Sequence, residues 1–268
     1  MIVVQFQRLI HSKFFYISLL VGSIITISQY VQTAWTIIRG EALYGKASTI
    51  PDSAYLLWLN TSLSEITNLF LMLLPVLAVL PYSLQLLVDK KTNYSQLMIM
   101  KSGKYKYLFS MLTMSAFSGF LVVAIPIFVN FLLFSLTFPA ISPNPFVYYI
   151  YGIDAYDTLF FNLRLNAPLI HTMIYIFLSG LVGSLFAVFT TTLCLYFRYT
   201  LIILAIPLFI NLLISVVDES FTMAVSPLNF LKMTVSLPVH LWDVLLFALL
   251  MIFLTCILLG IGVRRLAG

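Results

Sequence analysis

The sequence predicts an all-α integral membrane protein organised as a single domain, 1–268. It should have six transmembrane helices, an N-terminal amphipathic interfacial helix, a short cytoplasmic helix between spans two and three, and a re-entrant outer hairpin before span six. Three observations predict this. The 268 residues are 62% hydrophobic and 9% charged, against about 25% charged in a soluble domain, and mean hydropathy is +1.06. Six apolar runs are long enough to cross a bilayer. Basic residues collect on alternate connections between those runs.

The runs are roughly 14–37, 66–88, 107–137, 169–195, 199–217 and 241–263. A single helix over 169–217 would be about 73 Å long at about 1.5 Å per residue, against a core of about 30 Å. The chain must therefore fold back, and LYFRYT around Arg198 is the expected turn. No cleavable signal peptide is expected, because the first run has the length of a full span and lacks a small-residue cleavage site.

With both termini in the cytoplasm, the inner segments hold Arg8, Lys13, Lys90, Lys91, Lys101, Lys104, Lys106, Arg198, Arg264 and Arg265. The outer segments hold only Arg39, Lys46, Arg164 and Lys232. Asp89 is the one inner acid, and all the others fall outside. This is a positive-inside distribution. It explains the net charge of +5 without nucleic acid. Arg8, Lys13, Lys90, Lys91, Lys104 and Lys106 are expected as anchors at the inner lipid surface. Ile, Phe, Lys and Asn usage suggests a bacterial inner membrane.

MIVVQFQRLIHSK (1–13) alternates apolar and polar residues at near-helical spacing, as an interfacial helix does. In the loop 39–64, Ser62 and Glu65 have capping-box spacing and should start the second span. Asn60-Thr61-Ser62 matches a glycosylation sequon, a frequent chance match. Pro75 and Pro81 should bend the second span. The outer loop 138–168 concentrates Phe146, Tyr148, Tyr149, Tyr151, Tyr156, Phe160 and Phe161, which reads as an aromatic belt first and a cargo gate second. In SGLVGSLFA, Ser179, Gly180, Gly183, Ser184 and Ala187 form small-xxx-small pairs suited to close helix contact, within or between chains. The threonines at 190–192 should hydrogen-bond to their own backbone. Residues 218–240 are half apolar and broken by Pro227 and Pro238, so they read as a shallow re-entrant hairpin with Asp218 and Glu219 at its mouth.

Several chemistries are excluded. Gly40 to Lys46 fits G-x-x-x-x-G-K, but Ala47 follows where a magnesium-binding Ser or Thr is required, and no buried strand precedes it. His11, His171 and His240 lie far apart without ligand spacing. Cys194 and Cys256 sit in apolar runs, as small core residues do. No acid lies deep in a span to carry a proton or sodium relay. Asn130 and Asn211 are the notable mid-span polar residues; interhelical hydrogen bonding is their first reading and cargo contact the second. A many-span body without an energy source suggests a subunit powered by something else.

The stretch 89–107, DKKTNYSQLMIMKSGKYKY, shows how such a motor would attach. NYSQLMIMKS (93–102) can make a short helix with Tyr94, Leu97 and Met98 on one face, stopped at Gly103. Exposed apolar residues between lysines call for a cover, either lipid or a protein groove. The acid-base pair ending span two, the short amphipathic helix, the basic turn, QFQRLIHSKFF at the N-terminus and SPLNFL (226–231) together resemble the permease subunits of type-2 ATP-binding-cassette exporters. The resemblance covers essentially the whole chain. Such subunits often carry a glycine just after the acid-base pair, where Thr92-Asn93 stands here; Asn tolerates a left-handed turn better than most residues.

The resemblance implies that Asn93, Tyr94, Leu97, Met98, Met100 and Lys101 belong to a coupling helix docking on a separate ATPase. It implies a pair of permeases, identical or sister chains, with ATP and magnesium held by the ATPases and no cofactor on this chain. It also implies a path between spans two and five, with Asn211, Asp218, Glu219 and Phe230 as candidate pathway or outer-gate residues. The expected cargo is amphipathic or hydrophobic: a peptide such as a bacteriocin, a lipid-linked molecule or a drug. The alternative is an ATPase-independent sensor or immunity protein that binds a peptide. A secondary transporter would show related halves, and none is evident. A membrane-embedded enzyme would need a catalytic group at bilayer depth.

Overall fold

The computed structural model describes residues 1–39, 53–62, 64–142, 158–233 and 237–265. The phosphate-loop mimic at 40–47 and most of the aromatic run 146–161 lie outside them. Among the described residues the chain is helical, and five helices are long and apolar enough to cross a membrane. In order they are α2 (Lys13–Ile38), α7 (Lys104–Thr137), α9 (Pro168–Leu193), α10 (Thr200–Phe221) and α12 (Leu241–Arg265). A shorter apolar helix, α4 (Glu65–Val79), stands where the second span is expected.

That span is interrupted rather than bent. After α4 the chain turns through 80–84 and resumes as α5 (Gln85–Lys91). Pro81 supplies the reason: it lacks an N–H, and its ring clashes with the preceding turn. Pro75 is tolerated inside α4. The N-cap of α4 is Ser64, whose hydroxyl accepts the Thr67 N–H, so the Ser62–Glu65 capping box does not form. Ser62 accepts from Ser64 N instead, two residues before the cap. Asn60 of the sequon is fully buried, in the short helical turn Leu59–Thr61, and donates to the Leu231 carbonyl at 2.9 Å. The sequon is a chance match.

The bundle is built around α7 and α9. A Cβ added at Gly183 would lie 2.6 Å from the Gly119 carbonyl oxygen, and one at Gly119 would lie 2.7 Å from that of Gly183. The small residues of 179–187 thus let two helices of this chain touch backbone to backbone. Ser184 Oγ donates across to the Ala116 carbonyl, and Ser115, Thr191 and Ser83 share a buried hydroxyl cluster. Around this pair, α2 packs on α7 and α4, α10 packs on α4, and α12 packs on α9.

Helix α2 buries its polar side. In α2 the buried residues are Ser18, Gly22, Thr26, Gln29 and Thr33, one stripe at helical spacing, while Phe14, Ile17, Ile24, Val31 and Trp35 face outward. Lipid is as apolar as a core, so the hydrogen-bonding groups are the ones to hide. Asn130 of α7 shows the outcome. Its Nδ2 donates to the Thr26 carbonyl and Gln29 Oε1, both at 2.8 Å, and its Oδ1 accepts the Leu59 N–H at 2.9 Å.

The N-terminal segment expected at the interface forms α1 (Ile2–Ile10). It packs on α7, with the Phe6 ring 6.2 Å from the Phe117 ring. Helix α6 (Tyr94–Ser102) leads into the first turns of α7 at the same end. This end of the bundle is basic. Lys13, Lys91, Lys101, Lys106 and Arg198 are exposed there, and Lys104 is partly so.

Candidate coupling site at the basic end

The site begins with Asp89 and Lys90 at the end of α5. Asp89 is 1% exposed, and an anion so placed needs partners. Both guanidinium nitrogens of Arg8 donate to it, Nη1 at 3.0 Å and Nη2 at 2.5 Å. Tyr107 Oη donates at 2.7 Å and Gln85 Nε2 at 3.1 Å. Burial works against the charge of Arg8, but the Asp89 hydrogen bond and charge outweigh it and leave the Arg8 pKa raised. Arg8 is thus an ion-pair partner reaching into the protein. Its guanidinium lies 4.6 Å over the Tyr94 ring, and Nη1 also donates to Gln5 Oε1. Gln5 in turn accepts from Tyr82 Oη. α1 is bound by its polar side to the segment 82–94.

Lys90 points the other way. Its Nζ donates to the Cys194 carbonyl at 2.9 Å and the Leu195 carbonyl at 3.2 Å, at the C-terminal end of α9. A cation there meets carbonyls without a helical partner and the negative end of the helix dipole. The acid-base pair therefore joins α5 to α1 and α7 through Asp89, and to α9 through Lys90.

Next comes α6, set off by a sharp turn at each end. Asn93 has φ +58°, the left-handed turn that the missing glycine would have made. Gly103 has φ +83° and ψ 150°, a region almost exclusive to glycine. Between them α6 has a wet face and a dry face. Asn93, Gln96, Leu97, Met100 and Lys101 are exposed, at i, i+3, i+4, i+7 and i+8. Leu97 is 60% and Met100 77% exposed. Tyr94, Met98 and Ile99 lean onto the bundle and Ser95 is buried. The face predicted as Tyr94, Leu97 and Met98 is thus rotated. Tyr94 sits under Arg8, and Leu97 and Met100 are the apolar pair left outside.

Of the candidate pathway and outer-gate residues, Asp218, Glu219 and Phe230 sit towards the opposite end and Asn211 at mid-span, and they do not share one surface. Asp218 is buried in the last turn of α10 and accepts from Val225 N, Ser226 N and Asn229 Nδ2 at 3.1, 2.6 and 2.9 Å. It clasps the hairpin instead of lining a mouth, while Glu219 beside it is exposed. Phe230, in the one-turn helix α11 (Pro227–Phe230), is fully buried against Phe247, with ring centroids 5.7 Å apart. Asn211 is buried and donates to the Leu71 carbonyl of α4 at 3.4 Å.

Sequence reasoning passed over Arg164, which is 2% exposed in α8 (Phe161–Asn166). It lines a cavity of about 10 Å³ with Trp58, His171 and Thr172, room for about one water. Its flanking apolar residues were the available signal. No group of His, Cys, Asp or Glu among the described residues is placed to hold a metal ion. Comparison of the chain with protein-family models, with curated proteins and with solved structures found no match.

Proposed function

We propose that this chain is the membrane-embedded permease subunit of an ATP-driven exporter of the ATP-binding-cassette type. In this reading α4 and α5 together make the second of six spans, and both termini lie in the cytoplasm of a bacterial inner membrane. The supporting observation is the outward face of α6. It is a separate helix between two positive-φ residues, and it presents Leu97 and Met100 outward among lysines. An exposed apolar pair on a short rigid helix suits a groove in a partner protein.

The partner is a separate ATPase that binds ATP and magnesium. Two permeases, identical or sister chains, would enclose a path between α4 and α10. The cargo is amphipathic or hydrophobic, in keeping with the apolar surfaces of the spans. Movement of α6 would reach α1 and α9 through Asp89 and Lys90.

The test is purification of the tagged chain from its native host in mild detergent, with bound proteins identified by mass spectrometry. A P-loop ATPase at about one copy per chain, absent from a Leu97→Glu, Met100→Glu variant of normal monodispersity, supports the reading. A chain that emerges alone and without ATP hydrolysis sinks it, and favours the sensor or immunity reading.

A further inference from the structure

At the end opposite α6, residues 222–233 run between α10 and the start of α4. Thr222, with φ +53°, ends α10. The segment turns back on itself, forms α11 with Ser226 as its cap, and reaches Met233. It is tied on both sides, and the two ties differ in kind.

On the α10 side the tie is a carboxylate. Asp218 is 1% exposed and takes three N–H donors from 225–229. Hydrogen bonds to a charged acceptor are the strong ones, and parting them would leave a buried anion without partners.

On the α4 side the acceptors are neutral. Met233 N donates to the Asn60 carbonyl at 2.8 Å, Asn60 Nδ2 donates to the Leu231 carbonyl at 2.9 Å, and Lys232 Nζ donates to Asn68 Oδ1 at 2.9 Å. One feature lowers the cost of parting here: Asn60 Oδ1 is buried without a hydrogen-bond partner, so water reaching it would satisfy an acceptor that now goes without.

We propose that residues 222–233 are a strap that stays fixed to α10 through Asp218 and releases from α4 at Asn60 and Lys232, making this seam the one along which the outer end opens. The strap moves with α10 as one body. The functional consequence, that release of the seam lets cargo out, rests on the permease reading. The seam itself does not.

The test is hydrogen–deuterium exchange of the full chain in lipid nanodiscs, resolved to single amides. Val225 and Ser226 N–H should stay protected while Met233 N–H exchanges faster. Lys232→Met should speed exchange at Met233 by roughly five- to tenfold, the effect of losing about one hydrogen bond, and leave Val225 and Ser226 unchanged. Asp218→Asn should deprotect Val225 and Ser226 first. Equal protection at all three amides, or their joint release in Lys232→Met, overturns the strap whatever the chain transports. In the assembled exporter, Asn68→Cys and Lys232→Cys joined by a short bifunctional thiol reagent should stop transport, and reduction or omission of the reagent should restore it. Transport that continues through the cross-link overturns the gating role. A chain that purifies without an ATPase overturns the permease reading and leaves the exchange result standing.

Discussion

Asn211 Nδ2 donates to the Leu71 carbonyl at 3.4 Å, and Leu71 is the residue whose carbonyl Pro75 leaves without a helical N–H. A proline inside a helix removes the bond to the residue four before it. In lipid such a carbonyl must find another donor. The lone asparagine of α10 supplies one and ties α10 to α4 at mid-span. Asn211→Leu alone should change stability by no more than about 1 kcal/mol, since interhelical hydrogen bonds in membranes average about 0.6 kcal/mol and Asn211 Oδ1 has no partner to lose. The diagnostic quantity is the coupling. With Pro75→Ala the helix satisfies Leu71 itself, so Asn211→Leu should then cost nothing. Thermal unfolding of the four chains in detergent measures this. Equal costs in both backgrounds would refute the relationship.

The rotated face of α6 gives a second prediction. Glu at Leu97 or Met100 should leave the melting temperature within about 2 °C of the parent, because surface changes stay within about 0.5 kcal/mol. Each should also abolish ATPase co-purification. Glu at Met98 should do the reverse in order: Met98 packs against the core, so the melting temperature falls first and any loss of partner follows from that. A Leu97→Glu chain that melts early would mean that the exposed face has been misread.

Much of this was legible because lipid imposes few options. Length and hydropathy are enough to place α2, α7, α9, α10 and α12, and Gly180 and Gly183 announce a close contact. Less legible was anything that depends on which way a short helix is turned. Tyr94 and Met98 share a face with Leu97 in any helical projection, and only the stacking of Arg8 on Tyr94 decides that this side is inward. The break at 80–84 needed the competition between Pro81 and a continuous span, which periodicity does not measure. Ser62 and Ser64 both suit an N-cap, and the choice rests on where Leu59–Thr61 turns. The stripe Ser18, Gly22, Thr26, Gln29, Thr33 was readable as a buried face, had the rule for soluble helices been inverted.

The Arg8–Asp89 pair sets a third expectation. The Asp89 side chain is 1% and the Arg8 side chain 27% exposed. Arg8→Met should therefore cost about 2–4 kcal/mol, below the full cost of breaking a wholly buried pair because water reaches one partner. Most of that cost is the stranded anion. Asp89→Asn should therefore recover much of it in the Arg8→Met background, and unfolding of the four chains in detergent reads the coupling. Strictly additive effects would show that the pair does not hold α1 to α5.

The backbone contact between α7 and α9 yields the last prediction. Gly183→Ala puts a Cβ 2.6 Å from the Gly119 carbonyl oxygen and 2.8 Å from Val123 Cγ2. The carbonyl belongs to a helix backbone and cannot yield alone, so α7 and α9 must separate. Overpacking of this kind costs about 1–3 kcal/mol, and the Ser184–Ala116 bond between the same helices should weaken with it. Gly260 is the control: a Cβ there meets nothing within 4 Å, so Gly260→Ala should be neutral or stabilising by up to about 1 kcal/mol from helix propensity. Melting temperature and monodisperse yield in detergent separate the two. If Gly183→Ala behaves like Gly260→Ala, the α7–α9 seam is looser than backbone contact, and the small residues of 179–187 are left to serve a contact between chains.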